Sequence, residues 1–354
     1  MDFKKLKLYF AAIVAATIMT GCSDTDPDTE KKGGERDIAF VRNIQLTAQE
    51  EGSRLADIKW HNNRIYAALQ HLDDNWTPTA NSTVLELDVQ GNVLRRFESN
   101  FMNVGEIHIR NGNLFVVDAG SWGNDDGGIT KINLVSGQAT SVLSGKTPEQ
   151  MIIISDNEAI VLLSQGWGDS YAARLDLNSG NVGQALGAIN PVSSISLNAS
   201  ANALWIAAAI PHVTEENKVY KFSLTSNAVV SETLSKLPAY SIASAGQVTL
   251  VVESDFTAGH YGLIFDTGSG TDYRPQDVID ADAVARFVDG NFFILERTGS
   301  GSLIFMANDG KIIRQLPFDA AFFNPGGITG DGNGSIFVGA QEDLTIAVFS
   351  VSTK

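Results

Sequence analysis

A short turn recurs along the chain at nearly constant spacing, and this spacing constrains the fold more than any other feature. Each turn follows a β-rich run and contains Gly or Asn, which tolerate the positive φ of tight hairpin turns. The key residues are Gly91, Gly137, Gly180, Asn227, Gly270 and Gly310. Their spacing of roughly 40–47 residues matches the period of a four-stranded propeller blade. The sequence therefore predicts an all-β repeat protein.

Each repeat contains runs that are typical of β-strands. In the first repeat the runs are Ala56–Trp60, Arg64–Gln70, Thr83–Asp88 and Val93–Glu98. The next five repeats have approximate bounds, at residues 101–144, 148–187, 191–236, 239–279 and 281–317.

The last repeat is one strand short. It contains only Gly327–Thr329, Ser335–Gly339 and Thr345–Val351, whereas a spare run, Asp37–Thr47, precedes the first repeat. If the spare run completes the last repeat, the ring closes and no sheet edge is left open at its ends. We therefore predict a seven-bladed β-propeller closed by an N-terminal strand, over residues 37–354. A pair of β-sandwiches is the alternative, but it explains neither the period nor the spare run.

Residues 1–21 have the features of a secretory signal peptide. Three lysines precede an apolar stretch from Leu8 to Met19, and small residues follow it. The stretch is shorter than the roughly 20 residues that span a bilayer. Its end, Met19–Cys22, resembles a bacterial lipobox, which implies cleavage before Cys22 and acylation of that cysteine. An ordinary signal peptide followed by a chance cysteine is the alternative.

Residues 22–36 are predicted to form a lipidated, disordered tether, because they are charged and poor in apolar side chains. Two or three acyl chains, at about 0.8 kcal/mol per buried CH₂, hold a protein on a membrane. Ser23 after the lipidated cysteine resembles an outer-membrane sorting signal. We expect an outer-membrane lipoprotein, on the periplasmic face or the cell surface.

The acidic composition limits the partners of the chain. Its net charge is −16, and removal of three lysines and one aspartate with the signal peptide makes it −18. Nucleic acid is not expected as a partner, because its binding needs a basic footprint. Cationic, neutral or metal-bearing ligands suit this charge better. Cys22 is the only cysteine, so no internal disulfide is expected.

Long loops are segregated to one face of the predicted ring. In a four-stranded meander, the loops between second and third strands lie opposite the two tight turns. The long segments are nearly all of this kind: His71–Ser82, Asp118–Gly128, Ser164–Tyr171, Pro211–Lys218, Ser254–His260 and Glu296–Gly301. Binding sites usually lie on long loops of a rigid scaffold. We therefore assign function to this side, called here the long-loop face.

Aromatic side chains near these loops are candidate ligand contacts. Trp76, Trp122 and Trp167 come from three consecutive repeats, with Phe256 and Tyr261 across the ring. Clustered tryptophans favour stacking on a flat or apolar ligand. The alternative is that each tryptophan covers the hydrophobic end of its own blade.

Polar loop residues offer a weaker metal signal. Asp125 and Asp126 carry the oxygen ligands that Ca²⁺ prefers, although a turn-forming acidic run is the alternative. His71, His212 and His260 lie on different repeats and have no recognisable metal-ligand spacing. Each could reach a chelate ligand or be an ordinary polar residue. The sequence indicates no cofactor beyond this candidate Ca²⁺ site.

Familiar catalytic motifs are missing from the sequence. It has no Gly-x-Ser-x-Gly elbow, no His-Glu-x-x-His, no phosphate-binding loop and no cysteine nucleophile after Cys22. We predict no catalytic residue. Propeller hydrolases assemble sites from scattered residues, so an enzyme stays open as an alternative.

Two stretches resemble repeats of YncE-type propellers. They are Phe292–Phe305, and Ala119–Gly123 followed by Ile129–Gly137. The resemblance extends over about residues 37–354 at the level of architecture. It implies a binding lipoprotein, because lipidated relatives include surface cobalamin-binding propellers that sit over TonB-dependent transporters. Lactonase-type relatives imply the enzymatic alternative.

Together these features predict a non-catalytic outer-membrane lipoprotein. Its long-loop face would bind a small molecule, either a bulky nutrient or a metal chelate, for a TonB-dependent transporter. One alternative is a protein–protein scaffold in an envelope complex. The other is a lactonase- or hydrolase-type propeller acting through Asp125, Asp126 or Glu296.

Overall fold

The computed structural model describes most of the chain after the predicted tether. The described residues are 36–46, 52–73, 77–121, 124–164, 169–209, 217–255, 257, 259–267, 270–279, 282–297, 301–318, 325–341 and 344–353. Within them the chain forms β-strands joined by turns, with a short 3₁₀ segment at Leu186–Ala188. The predicted all-β class is confirmed. Cys22 and the signal peptide lie outside these ranges. No helix in the described part is long and apolar enough to cross a membrane.

The strands pair mostly with their neighbours in the chain, which makes each sheet an antiparallel meander. The N-terminal strand is β1 (Arg36–Gln45), and the next sheet contains β2 (Arg54–His61), β3 (Arg64–Gln70), β4 (Thr83–Leu87) and β5 (Val93–Glu98).

A seven-stranded sheet follows. It contains β6 (Val104–Arg110), β7 (Asn113–Asp118), β8 (Gly127–Asn133), β9 (Ala139–Ser155), β10 (Glu158–Ser164), β11 (Ser170–Asp176) and β12 (Val182–Ala185). The sequence predicts two separate repeats here, and the continuous strand β9 joins them. Its first half pairs with β8 up to Lys146, and its second half pairs with β10 from Thr147. Gly145, with φ 65°, is the extra residue of a β-bulge just before the change of partner, since Ser144 pairs with Gly128 and Lys146 with Gly127.

The rest of the chain forms three sheets of consecutive strands and part of a fourth. These strands are β13 (Ser194–Asn198), β14 (Ala203–Ala208), β15 (Lys218–Ser223), β16 (Ala228–Leu234), β17 (Ala239–Ala245), β18 (Val248–Ser254), β19 (Gly259–Asp266), β20 (Thr271–Ile279), β21 (Ala283–Val288), β22 (Asn291–Glu296), β23 (Ser302–Met306), β24 (Ile312–Pro317), β25 (Pro325–Gly330), β26 (Ser335–Ala340) and β27 (Thr345–Thr353).

The two ends of the described chain share one sheet. Its strand order is β1-β27-β26-β25, and β1 pairs antiparallel with β27 from Arg36↔Thr353 to Gln45↔Thr345. Arg314 strengthens the attachment, because its Nη1 donates to Asp37 Oδ1 at 2.9 Å from a strand of the preceding sheet.

The first strands of successive repeats lie side by side, and we call them the inner strands. They are β2, β6, the second half of β9, β13, β17, β21 and β25, and each contacts the next, with β25 contacting β2. The approach of β25 to β2 needs glycine. A Cβ on Gly326 would lie 1.9 Å from the carbonyl oxygen of Leu55, and one on Gly327 would lie 2.9 Å from Asp57 Cα.

Hydrophobic cores fill the spaces between neighbouring sheets. One cluster joins Ile58 and Leu85 of the sheet after β1 to Phe337 and Ile346 of the last sheet. Similar clusters join the other neighbours, and Trp205, the largest fully buried side chain, lies in one of them.

Polar side chains connect successive inner strands from β2 to β21. An inner strand has a sheet partner on one edge only, so N–H groups on its other edge need an acceptor. Five side chains supply one, and we call them the inter-sheet latches. Asp57 accepts from Ile107 N (3.0 Å), Glu106 from Met151 N (3.0 Å), Gln150 from Ile195 N (2.9 Å), Ser194 from Ile242 N (3.4 Å) and Ser241 from Ala285 N (3.1 Å).

Candidate functional site

The candidate site lies where the second strand of each repeat ends, on the long-loop face. On the second strands, the cross-strand partners of the five latch residues are Ala68, Val117, Leu162, Ala207 and Val252. The corresponding positions of the other two second strands are Leu295 and Gly339. In a strand, the side chain two residues further along lies on the same side of the sheet. We call the residues at this position the strand-end residues: Gln70, Ala119, Ser164, Ala209, Ser254, Arg297 and Gln341.

The strand-end residues are unequally distributed around the inner strands. Long polar side chains occupy three successive positions, Arg297, Gln341 and Gln70, and only Ala or Ser occupies the other four. All of them except Ser164, which is half-buried, are buried. One side of this end therefore carries the hydrogen-bonding groups and the other carries short side chains.

Gln341 is the least satisfied of the three. It is 1% exposed, and neither its Oε1 nor its Nε2 has a hydrogen-bond partner in the described structure. Its backbone is held firmly, because its carbonyl oxygen accepts from Leu55 N of the next inner strand at 2.9 Å. Burying an amide unpaired costs about 2–7 kcal/mol, and native proteins pair nearly all such groups. A buried amide with no partner in the described chain is therefore a candidate for contact with a ligand or with an ordered water.

Gln70 and Arg297 have internal partners. Gln70 Nε2 donates to Asn103 Oδ1 at 2.7 Å, and Asn103 lies at the start of the next repeat. Arg297 is 3% exposed, and its Nη1 lies 3.6 Å from Asp282 Oδ1. The hydrogen bond positions Gln70, and the ion pair draws Nη1 of Arg297 towards Asp282, on either side of Gln341.

Glu149 is a second unusual group close to this end. It is the extra residue of a β-bulge in β9, between Pro148 and Gln150, which pair with Leu163 and Leu162. Burial raises the pKa of Glu149 to about 7, and a hydrogen bond with Ser164 opposes the shift. Its carboxyl therefore changes charge near neutral pH, next to a strand-end residue.

Glu253 is completely buried near the end of β18. Its Oε1 accepts from the hydroxyl of Tyr273, and its Oε2 accepts from Leu237 N at 3.1 Å. Burial raises the pKa of this carboxyl, against the effect of these hydrogen bonds. Both oxygens are engaged, so we give Glu253 a structural role.

Four of the predicted aromatic contacts and one of the predicted histidines lie outside the part of the chain that the structure describes. They are Trp76, Trp122, Trp167, Phe256 and His212. Their assignment to the ligand site stays a prediction.

His71 lies next to a strand-end residue of the candidate site. It follows Gln70 directly, is half-buried, and its Nδ1 lies 3.3 Å from Ser53 Oγ. Its carbonyl oxygen accepts from Thr79 N at 2.8 Å, which fixes the start of the loop after β3.

His260 and Tyr261 are strand residues, which corrects their assignment to a loop. Strand β19 begins at Gly259 because that residue pairs with Ser254, so His260 pairs with Glu253 and Tyr261 with Val252. Tyr261 is 2% exposed and packs in the core between two sheets. Burial raises the pKa of its hydroxyl. We therefore omit Tyr261 from the candidate site.

Asp125 and Asp126, the candidate Ca²⁺ ligands, hydrogen-bond to nearby groups of the protein. Asp126 Oδ1 accepts from Ser121 N at 2.7 Å, and Asp125 Oδ1 lies 3.4 Å from Thr147 Oγ1. Both aspartates are exposed. Among the described residues, no group of three His, Cys, Asp or Glu side chains is placed to hold a metal.

Sequence reasoning missed the strand-end residues. Gln70 and Gln341 each follow an apolar run directly, and Arg297 follows one after Glu296, which the sequence shows. Aligning the repeats by their second strands would have brought them to one position. Their burial and the unpaired amide of Gln341 are visible only in the structure.

Comparisons with known proteins identify the fold. No protein-family model and no curated protein matches the chain. The β-propeller domain of Cps50 (Swd1) from Myceliophteria thermophila matches with a TM-score of 0.62 and 11% identity, over 89% of this chain and 100% of that one. PorZ, a surface component of the type-IX secretion system of Porphyromonas gingivalis, matches with a TM-score of 0.58 and 12% identity.

The match with PorZ covers 91% of this chain but only 39% of PorZ. Identities this low show the fold alone, and a fold does not determine a function. The chain is therefore a β-propeller, and its function has to be argued from its own residues.

Proposed function

We propose that the chain is a non-catalytic outer-membrane lipoprotein whose long-loop face binds a bulky nutrient or metal chelate for a TonB-dependent transporter. The observation that carries the binding role is the unpaired, 1% exposed amide of Gln341 at that face. A rigid scaffold that holds such a group in place leaves its donor and acceptor available to hydrogen-bond a ligand.

We also infer that the sheets form one closed ring of seven blades. The order of contacts between inner strands returns from β25 to β2. If the two halves of β9 are counted separately, the sheets divide into seven groups of four strands, one of which contains β1. In such a ring the strand-end residues lie at one end of a central channel, which is a usual place for a ligand in this fold.

The tryptophans predicted on the long-loop face supply the apolar part of the proposed site. Replacing Trp76, Trp122 and Trp167 with Ala should weaken capture of the bound chelate at least 100-fold, because each stacked aromatic contributes about 1 kcal/mol and the apolar area lost adds to it. Trp60→Phe is the control, since Trp60 stacks on Phe337 at 5.0 Å near the opposite end of β2. Unchanged affinity in the triple variant would exclude this site.

The proposed anchor is tested separately through Cys22. Cys22→Ser should abolish palmitate labelling, because the thiol that carries the lipid is lost. Palmitate labelling that persists in Cys22→Ser, or that is absent from the unmodified chain, would contradict the lipoprotein assignment.

A scaffold role is the second candidate. The outer strand β16 exposes Val230 by 54% and Leu234 by 62%, and exposed apolar side chains favour a protein partner. PorZ, which shares the fold, is described as a surface component of a secretion system. A stoichiometric membrane partner that co-purifies without ligand, and is lost in Leu234→Lys, would favour this role. Turnover of any simple lactone would instead favour a hydrolase.

A further inference from the structure

The strand that follows the proposed lipid anchor begins on the side of the propeller away from the long-loop face. Strand β1 starts at Arg36, whose Nη1 donates to the carbonyl oxygen of Gly290 at 2.9 Å. Gly290 lies in the tight turn between β21 and β22, and the tight turns lie opposite the long loops. Cys22 lies 14 positions before Arg36, so the chain between them spans at most about 50 Å. An anchor at Cys22 would therefore hold the start of β1 close to a lipid surface.

Exposed apolar side chains are grouped beside this strand. Among the described residues, the large apolar side chains that are exposed form two groups. We call the first group the anchor edge, and it consists of Phe40, Val41, Leu94 and Val135. The second group lies on β16 and consists of Val229, Val230 and Leu234. Grouped apolar side chains on a surface indicate contact with a partner or a membrane.

Hydrogen bonds connect the parts of the anchor edge. Arg42 of β1 donates from Nη2 to the carbonyl oxygen of Val89, in the turn before β5, at 2.6 Å. Arg95 of β5 donates from Nη2 to the carbonyl oxygen of Val135 at 3.1 Å. The anchor edge therefore extends over three neighbouring sheets and begins on the strand that follows Cys22.

Both groups use β-bulges to expose an apolar side chain. Val41, Leu94 and Val230 are each the extra residue of a bulge in a strand at the end of its sheet. The extra residue has no cross-strand partner, and a bulge can re-aim its side chain. Val41 and Val230 are both 54% exposed. The two valines thus occupy matching positions and differ in their surroundings.

The charges beside the two groups have opposite signs. Strands β1 and β5 carry four arginines and two acidic residues, so each strand has a net positive charge. The charged residue of β16 is Glu232. Arg42 follows Val41 directly and is exposed. Apolar and basic side chains together favour an anionic lipid surface, and in a chain with a net charge of −16 they occur together at the anchor edge.

We propose that the anchor edge lies against the anionic lipid surface to which Cys22 is attached. This inference rests on the proposed function, since it requires the lipid anchor. Contact at this edge keeps the long-loop face clear of the lipid and open to its ligand. Val230, on the far side of the proposed ring, stays in water.

A fluorescent label at each of the two valines tests the contact. The lipidated full chain is reconstituted into vesicles of phosphatidylethanolamine and phosphatidylglycerol that contain nitroxide-labelled lipid. With Cys22 acylated, Val41→Cys or Val230→Cys supplies the single free thiol for the label. We expect quenching at Val41→Cys to exceed that at Val230→Cys at least threefold, because nitroxides quench only at close range. Replacing phosphatidylglycerol with phosphatidylcholine should lower the quenching at Val41→Cys at least twofold. Leu94→Cys is a second probe of the anchor edge if Val41→Cys does not fold.

Flotation of the same vesicles separates the lipid contact from the anchor. Protein that floats but is quenched equally at the two sites, or more strongly at Val230→Cys, overturns the contact and leaves the anchor intact. Quenching that does not depend on phosphatidylglycerol overturns the selection of an anionic surface. Protein that does not float overturns the anchor and the contact together. A Val41→Cys thiol that is unquenched in vesicles but protected from maleimide in whole membranes would assign the edge to a protein partner instead.

Discussion

Gln341 and Gln70 occupy equivalent positions and differ only in whether the amide is paired. Gln70 donates to Asn103 at 2.7 Å, whereas Gln341 has no partner among the described residues. Gln341→Met should raise the free energy of unfolding by about 1–2 kcal/mol, because it removes a buried unpaired group. Gln70→Met should lower it by a similar amount, because it leaves Asn103 unpaired. Urea unfolding measures both, and a loss of stability in Gln341→Met would show that its amide has a partner after all.

Glu149 makes stability depend on pH. Its pKa is raised from 4.5 to about 7 by burial, so the folded state binds a proton that the unfolded state has released. The contribution of the protonated Glu149 carboxyl to the free energy of unfolding is therefore fully present below about pH 4.5 and is lost as pH rises through 7. Glu149→Gln should remove this dependence and raise stability at pH 8 by at most about 3 kcal/mol, with little effect at pH 4. Thermal unfolding of both proteins from pH 4 to 8 checks this, and parallel curves would contradict it.

Single residues were the hardest feature to predict from the sequence. Tyr261 was placed at the ligand because it follows a loop with aromatic residues, but two further pairs at the start of β19 move it into the core. The sequence does not show where a strand begins to within two residues. Gln341 is an ordinary polar residue in the sequence, and only its burial without a partner distinguishes it.

At the scale of elements, the inter-sheet latches explain how separate sheets stay in register. Gln150 is fully buried and accepts from Ile195 N at 2.9 Å. Gln150→Met should cost about 1–3 kcal/mol, because Ile195 N loses its acceptor where no strand can replace it. Gln184→Met, on the exposed strand β12, is the control and should change stability by less than about 0.5 kcal/mol. Equal effects would show that the latch adds nothing.

Strands were predicted better than their connections. The runs Arg64–Gln70 and Val93–Glu98 have the predicted bounds, and an Asn or Gly turn directly before each run defines its start. The fusion of two repeats through β9 was not predicted. A one-residue bulge at Gly145 lets pairing with β8 resume at Lys146, and pairing with β10 begins at the next residue, Thr147, so no break separates the two repeats.

For the whole molecule, the pairing of β1 with β27 joins the two ends of the described chain. Ala39 and Ser350 are exposed cross-strand partners, so their Cα atoms are within reach of a disulfide. In a Cys22→Ser background, Ala39→Cys with Ser350→Cys should stabilise the oxidised protein by about 5 kcal/mol, because it closes a loop of some 300 residues. The urea midpoint before and after reduction checks this, and no difference would mean that the ends are not joined in solution.

The site could be predicted only in outline. Segregation of long loops indicated one face, and the strand-end residues at that face include the unpaired amide. The ligand could not be predicted, because it depends on which side chains remain unpaired after folding. Such information lies in contacts between residues as distant as Gln341 and Leu55, which no local pattern contains.

The most direct test of the account is a thermal-unfolding screen of the full chain against cobalamin, haem and ferric siderophores. A ligand at a hundred times its Kd should add about 2.7 kcal/mol to the free energy of unfolding, which is readily detected. We predict that one of these chelates raises the Tm, and that the triple variant of Trp76, Trp122 and Trp167 loses the shift while Trp60→Phe keeps it. If no chelate raises the Tm, or if the triple variant responds as the unmodified chain does, ligand capture on the long-loop face is wrong.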